Sequence, residues 1–87
     1  MASTESFSLY QFSGCPFCTR VLHAAERLGV ELELRDTLAD SDHARDVLEA
    51  TGGRTVPVLR IEDSEGGVRW LPESVEIIAY LEERFGS

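Results

Sequence analysis

Lysine is missing from this 87-residue chain: its eight basic residues are all arginine, set against sixteen acidic ones, for a formal charge of -8. Binding a nucleic acid backbone needs a basic footprint that releases counterions from phosphate, so this balance argues against nucleic acid as a partner. Long hydrophobic runs are lacking too, none approaching the roughly 18 residues of a membrane span. The first six residues carry Glu5 and no basic side chain, so neither a membrane helix nor a secretory leader is expected. Cysteine is scarce. The two that occur, Cys15 and Cys18, leave no framework of structural disulfides, and in a reducing cytoplasm such a pair favours catalysis or metal binding over stapling. No repeat or low-complexity tract is visible. What is present, 43% hydrophobic and 28% charged residues over a length that holds one core, fits a single cytoplasmic globular domain of residues 1–87 with an ordered core of about 7–85.

The first β-prone run is Phe7, Leu9, Tyr10 and Phe12, followed by the turn signal Ser13-Gly14 and then Cys15-Pro16. From there Phe17, Val21, Ala24, Ala25 and Leu28 recur on one helical face, with Arg20, His23 and Arg27 opposite and Gly29 as the stop. Val30 to Arg35 alternates apolar and charged residues, the pattern of a half-exposed strand. Asp40 or Ser41 can cap a second helix carrying Ala44, Val47 and Leu48, which ends at Gly52-Gly53. Val58 to Ile61 and Val68 to Leu71, joined by a polar loop with glycine, form a hairpin, and Ile77, Ile78, Leu81 and Phe85 stripe a last helix. The order β-α-β-α-β-β-α predicts an α/β fold with a four-stranded mixed sheet, the first two strands parallel across a helical crossover and the last two antiparallel.

Cys15-Pro16-Phe17-Cys18 sits where the first strand gives way to the first helix. Pro16 lacks an N–H and has a fixed φ, which suits the first helical turn and puts Cys15 at the cap. The free N–H groups of Phe17 and Cys18 then point at the Cys15 sulfur and favour its thiolate, the form that attacks disulfides. Cys18, one turn further in, is the natural resolving thiol, able to attack a mixed disulfide on Cys15 and close a Cys15–Cys18 bridge. The spacing alone also allows half a zinc site or two inert core cysteines. A structural zinc needs four ligands, and only His23 and His43 accompany the pair, at spacings no common zinc motif uses; no metal is expected. Both histidines read as solvated helix residues, and Trp70 and Tyr80 as core or rim aromatics.

With the cysteine motif on this element order and Thr55-Val56-Pro57 ahead of the third strand, the chain resembles the glutaredoxins across nearly its whole length. The resemblance implies a thioredoxin fold, the sheet flanked by three helices, with Pro57 cis and facing the active cysteine. It further implies that Val56 offers its backbone N–H and C=O to an extended thiol peptide, and that Phe17 covers the bound thiol. Two departures stand out. Phe12 occupies the place, three residues before the first cysteine, where glutaredoxins often carry lysine. Leu71-Pro72-Glu73-Ser74 replaces their Gly-Asp-Asp type segment and is similar to the Glu/Gln-Ser element of the glutathione S-transferase N-terminal domain, as is Ile77-Ile78-Ala79-Tyr80-Leu81.

The activity implied is that of a glutathione-dependent thiol-disulfide oxidoreductase acting as a monomer on glutathionylated or disulfide-containing proteins, with glutathione as co-substrate. Cys15 and Cys18 would be catalytic, and Phe17, Thr55, Val56, Pro57, Glu73 and Ser74 would bind glutathione. The last-helix N-terminus and Ser74 suit the γ-glutamyl carboxylate, and Glu73 its ammonium; the plainer reading is that Glu73 and Ser74 only cap the helix. Arg20 and Arg54 are candidates for the glycyl carboxylate. Competing functions are a thioredoxin-like electron donor to a reductase such as ribonucleotide reductase, an iron–sulfur carrier, and a non-catalytic glutathione-binding domain.

Overall fold

Alternation along the first strand decides how the molecule is layered. In the computed structural model, which describes residues 5–53 and 55–86, β1 (Ser6–Gln11) is flanked on both sides by other strands and wholly buries Leu9 and Tyr10, which point to opposite faces. The remaining elements are α1 (Pro16–Leu28), β2 (Glu33–Asp36), α2 (Ser41–Thr51), β3 (Val58–Glu62), β4 (Val68–Pro72) and α3 (Ser74–Phe85). The sheet order is β2-β1-β3-β4. β1 runs parallel to β2, with Leu9 opposite Leu34, and antiparallel to β3, with Leu9 opposite Leu59; β3 and β4 close the antiparallel hairpin, with Leu59 opposite Leu71. This is the α/β architecture and strand sense that the sequence pattern predicts.

On the Leu9 side, α1 and α3 lie against each other and against the sheet, and Leu9, Val21, Ala25, Leu59, Ile61, Ile77 and Leu81 form the main core. On the Tyr10 side α2 is the one helix among the described residues that covers the sheet, through Val47 against Tyr10 and Val58, with Val56 and Trp70 partly buried beside them. Because Tyr10 is buried its hydroxyl needs partners: it accepts from Arg35 Nη1 at 2.6 Å and donates to Asp46 Oδ2 at 3.2 Å. Trp70 and Tyr80 are half-buried packing aromatics, as anticipated. No helix among the described residues is long and apolar enough to cross a membrane.

Three sequence expectations are corrected. The second strand starts at Glu33, not Val30, because the α1 C-terminus uses the Val30 N–H: Gly29, at φ 72°, donates to Glu26 O at 3.2 Å and Val30 donates to Ala25 O at 2.9 Å, a Schellman cap. Leu34 on that edge strand stays 51% exposed. Phe17 leaves the buried stripe of α1, whose inward positions are Cys18, Val21, Ala24 and Ala25. His43 is half-buried and not fully solvated. Its ring meets Tyr10 edge-on at 6.0 Å with Nδ1 buried, since α2 covers this face and turns His43 as well as Val47 toward the sheet.

Candidate active site

A tight turn brings the chain from β1 into α1. Cys15 N–H donates to Phe12 O at 3.3 Å and Gly14 lies at φ 90°, a conformation that glycine adopts without steric cost. Cys15 is then the N-cap of α1, with extended backbone at φ -78° and ψ 116°, and Pro16 opens the helix. A serine or aspartate commonly caps with an oxygen; here the cap acceptor is sulfur, which receives the Cys18 N–H at 3.4 Å. The Cys15 carbonyl accepts from Thr19 N–H and from Thr19 Oγ1, both at 3.0 Å, which fixes the capping residue from its other end.

The two thiols are unequal. Cys18 is 1% exposed and Cys15 5%, and neither is in a disulfide in this structure. Burial, followed by the thiol hydrogen bond to Cys15, pushes Cys18 from its ordinary 9.0 up to about 12. Cys18 therefore stays protonated at neutral pH. Of the pair, it is the one whose environment holds the thiol form.

Next to the α1 N-terminus lies a cavity of about 340 Å³ lined by Phe17, Thr55, Val56, Pro57, Glu73, Ser74 and Val75. All six residues that the resemblance assigns to glutathione thus share one cleft, drawn from the first turns of α1 and α3 and the segment before β3. The Val56–Pro57 peptide is cis. Cys15 is not among the lining residues, and Arg20 is an exposed α1 residue away from the lining. Arg54 lies outside the described residues.

Glu73 precedes α3 with φ 72° and ψ 131°, a conformation costly for a residue with a Cβ, and its side chain makes no capping hydrogen bond. The plain capping role considered for it is absent. Ser74, 9% exposed, opens the helix. The cleft therefore has a carboxylate and a hydroxyl beside the N–H groups of a helix start, the donor and acceptor set that matches an α-amino acid headgroup. Val75 was not foreseen as a lining residue, since it lies off the apolar stripe of α3. Among the described residues no group of three or more His, Cys, Asp or Glu side chains is placed to hold a metal ion.

Residues 9–87 match the model of the glutathione S-transferase N-terminal domain. The chain belongs to this family. It is also 36% identical over 70 residues to a probable glutaredoxin of Synechocystis sp., covering 77% of each protein. Among solved structures it is similar to glutaredoxin 2 of Salmonella typhimurium in complex with glutathione (26% identity, TM-score 0.74, 94% of this chain and 35% of the other). It is likewise similar to a maleylacetoacetate isomerase of Anaeromyxobacter dehalogenans with glutathione in its active site (26% identity, TM-score 0.73, 97% and 39%). The chain spans about two fifths or less of the length of those two structures. The family and its thioredoxin-like fold agree with the resemblance read from the sequence, and both solved relatives bind glutathione.

Proposed function

We propose that this domain is a cytoplasmic glutathione-dependent thiol-disulfide oxidoreductase that reduces protein–glutathione mixed disulfides and protein disulfides. The observation that carries the reading is the sulfur cap: Cys15 Sγ at the N-terminus of α1, accepting the Cys18 N–H, with a glutathione-compatible cleft alongside. The Cys15 thiolate attacks the glutathione sulfur of a mixed disulfide. The S–S bond breaks, the electron pair leaves on the protein sulfur, and that sulfur takes a proton from solvent. A second glutathione thiolate then attacks the Cys15–glutathione bond, releasing glutathione disulfide and restoring the thiolate. For protein disulfides Cys18 resolves the adduct by closing the Cys15–Cys18 bridge, losing its proton as it attacks.

In the cleft, the Glu73 carboxylate takes the γ-glutamyl ammonium, while Ser74 and the α3 N–H groups take the adjacent carboxylate. Val56 pairs through its backbone with the cysteinyl part, Thr55 and Pro57 complete that wall, and Phe17 closes over the sulfur. The test is reduction of a glutathione mixed disulfide, coupled to glutathione reductase, by wild type, Cys15→Ser and Cys18→Ser. Cys15→Ser loses activity at least a hundredfold and Cys18→Ser keeps much of it. Equal turnover by Cys15→Ser and wild type overturns the mechanism.

A further inference from the structure

β2 is an edge of the sheet and is bonded to β1 alone. Successive peptide groups along a strand turn to opposite sides, and Thr37 N–H donates inward to Gln11 O at 2.9 Å. Glu33 and Arg35 therefore also turn their N–H and C=O toward β1, while Leu34 turns both outward. The carbonyl of Asp36, the next outward residue, already accepts the Asp40 N–H, which leaves Leu34 as the centre of the free edge. Natural sheets blunt such edges with lysine or proline. β4, the other edge, ends in Pro72, whereas the chain has no lysine and β2 has no proline. The Leu34 side chain stays half-exposed on the Leu9 face, beside a groove of about 300 Å³ lined by Leu22, Ala25, Glu26, Val30 and Leu32. Leu38, just past the strand, is 76% exposed.

We propose that β2 pairs antiparallel with the β2 of a second copy of this chain, Leu34 opposite Leu34 on a two-fold axis, so that the two sheets join into one. In this register the two Leu34 residues exchange both backbone hydrogen bonds, the pairing that outward N–H and C=O groups can make. Their side chains meet on the Leu9 face, between the two grooves, and each covers apolar surface that its own chain leaves bare. On the other face Glu33 of each copy stands opposite Arg35 of the other, so the ion pair made within one chain at 2.5 Å becomes a closed square of alternating charges. A shift of one residue in either direction sets Leu34 against Glu33 or Arg35 and loses both matches. The two-fold register also brings Leu38 level with the partner's Val30, at the end of the partner's groove. β1 and β2 are parallel and both run toward the Cys15 turn, so antiparallel pairing holds the two Cys15 sites at opposite ends of the joined sheet. No β2 residue lines the cleft, and the dimer stands independently of the proposed function. It replaces the monomer expected from the sequence.

Sedimentation equilibrium of the full chain, kept reduced so that no intermolecular disulfide forms, measures the association. A seam one short strand wide is weak, so wild type passes from monomer to dimer between about 10 μM and about 1 mM. Leu34→Lys and Glu33→Arg each weaken the dimer at least about tenfold, the first by charging the seam and the second by setting like charges opposite each other. Both keep the wild-type circular dichroism spectrum. Arg35→Glu is monomeric too, and mixed with Glu33→Arg it forms a heterodimer, because each arginine then faces a glutamate. Amide hydrogen exchange reads the same seam without any substitution: the Leu34 N–H slows as the wild-type concentration rises, and the Arg35 N–H, turned toward β1, does not. Wild type that stays monomeric at about 1 mM overturns the pairing. So does a dimer that Leu34→Lys leaves intact, or one in which the Leu34 N–H exchanges at its monomer rate.

Discussion

Glu73→Gly should leave this domain more stable than Glu73→Ala does, and on the proposed function both variants weaken glutathione binding. Glu73 stands at φ 72° and ψ 131° before α3, where a Cβ costs about 1–3 kcal/mol. Glu73→Gly removes that cost but adds about 0.4–1 kcal/mol of unfolded-state freedom, whereas Glu73→Ala keeps the Cβ and the strain. Both variants lose the same carboxylate and any benefit it gives at the helix start, so comparing them isolates the backbone. The difference centres on about 1 kcal/mol in favour of glycine, which in a domain of this size is roughly 4–8 °C in Tm. Thermal unfolding followed by far-UV circular dichroism measures it, and calorimetric titration of the same proteins with glutathione measures the function. Both variants should bind at least about tenfold more weakly, since a hydrogen bond to a charged group contributes roughly 1.5–3 kcal/mol. If Glu73→Gly melts at or below Glu73→Ala, the backbone at this position is not strained. If Glu73→Ala binds as wild type does, the carboxylate does not meet the ammonium.

Cys18 and Tyr10 make alkaline pH the weak side of the fold. Cys18 is raised from 9.0 to about 12 by burial and its contact with Cys15, and burial also raises Tyr10 above its ordinary 10.0 against the opposing pull of Arg35. The unfolded chain releases the Cys18 proton first, so stability is full below about pH 9 and falls as pH climbs toward 12. Urea midpoints should drop between pH 8 and pH 10.5, and less steeply in Cys18→Ala; equal slopes would reject the assignment. Tyr10→Phe removes the hydroxyl that joins Arg35 to Asp46 across the α2 side of the sheet. Arg35 keeps its ion pair with Glu33 at 2.5 Å, so the loss should be about 1–2 kcal/mol, and an unchanged Tm would show that the network contributes nothing.

Much of this was legible because local signals and tertiary needs coincide. Pro16 after Cys15, and Gly29 and Gly52 at helix ends, mark boundaries that the backbone itself enforces: Gly29 and Gly52 lie at φ 72° and 78°, where a side chain is strained. The β1 run was readable as a strand, although its burial on both faces depends on β2 and β3 arriving from elsewhere in the chain. Cys15 as a cap followed from two adjacent residues. What escaped depends on neighbours distant in sequence. Val30 belongs to an apolar-charged alternation, but its N–H is committed to the α1 cap. His43 looks like any polar helix residue in the sequence, but α2 lays it against Tyr10 on the sheet. Phe17 fits the apolar period of α1, yet its turn projects beyond the core. Nothing in Pro72-Glu73-Ser74 signals a positive φ, because the residue that adopts it is not glycine. Arg20, a candidate for the glycyl carboxylate, is not among the residues that line the cleft.

The unequal cover of the two sheet faces divides the molecule into a durable half and a yielding one. α2 is held by Val47 against Tyr10 and Val58 and by the His43 and Asp46 contacts to Tyr10, while α1 and α3 share seven buried core residues with the sheet. Its backbone amides should therefore exchange with solvent through a partial opening well below the cost of global unfolding. That opening would loosen the chain leading to Thr55 and Val56, and with it one wall of the cleft, while the turn, the cap and the sulfur at the head of α1 remain anchored to the other layer. On the proposed function, that asymmetry would let the cleft wall yield while Cys15 keeps its place at the head of α1.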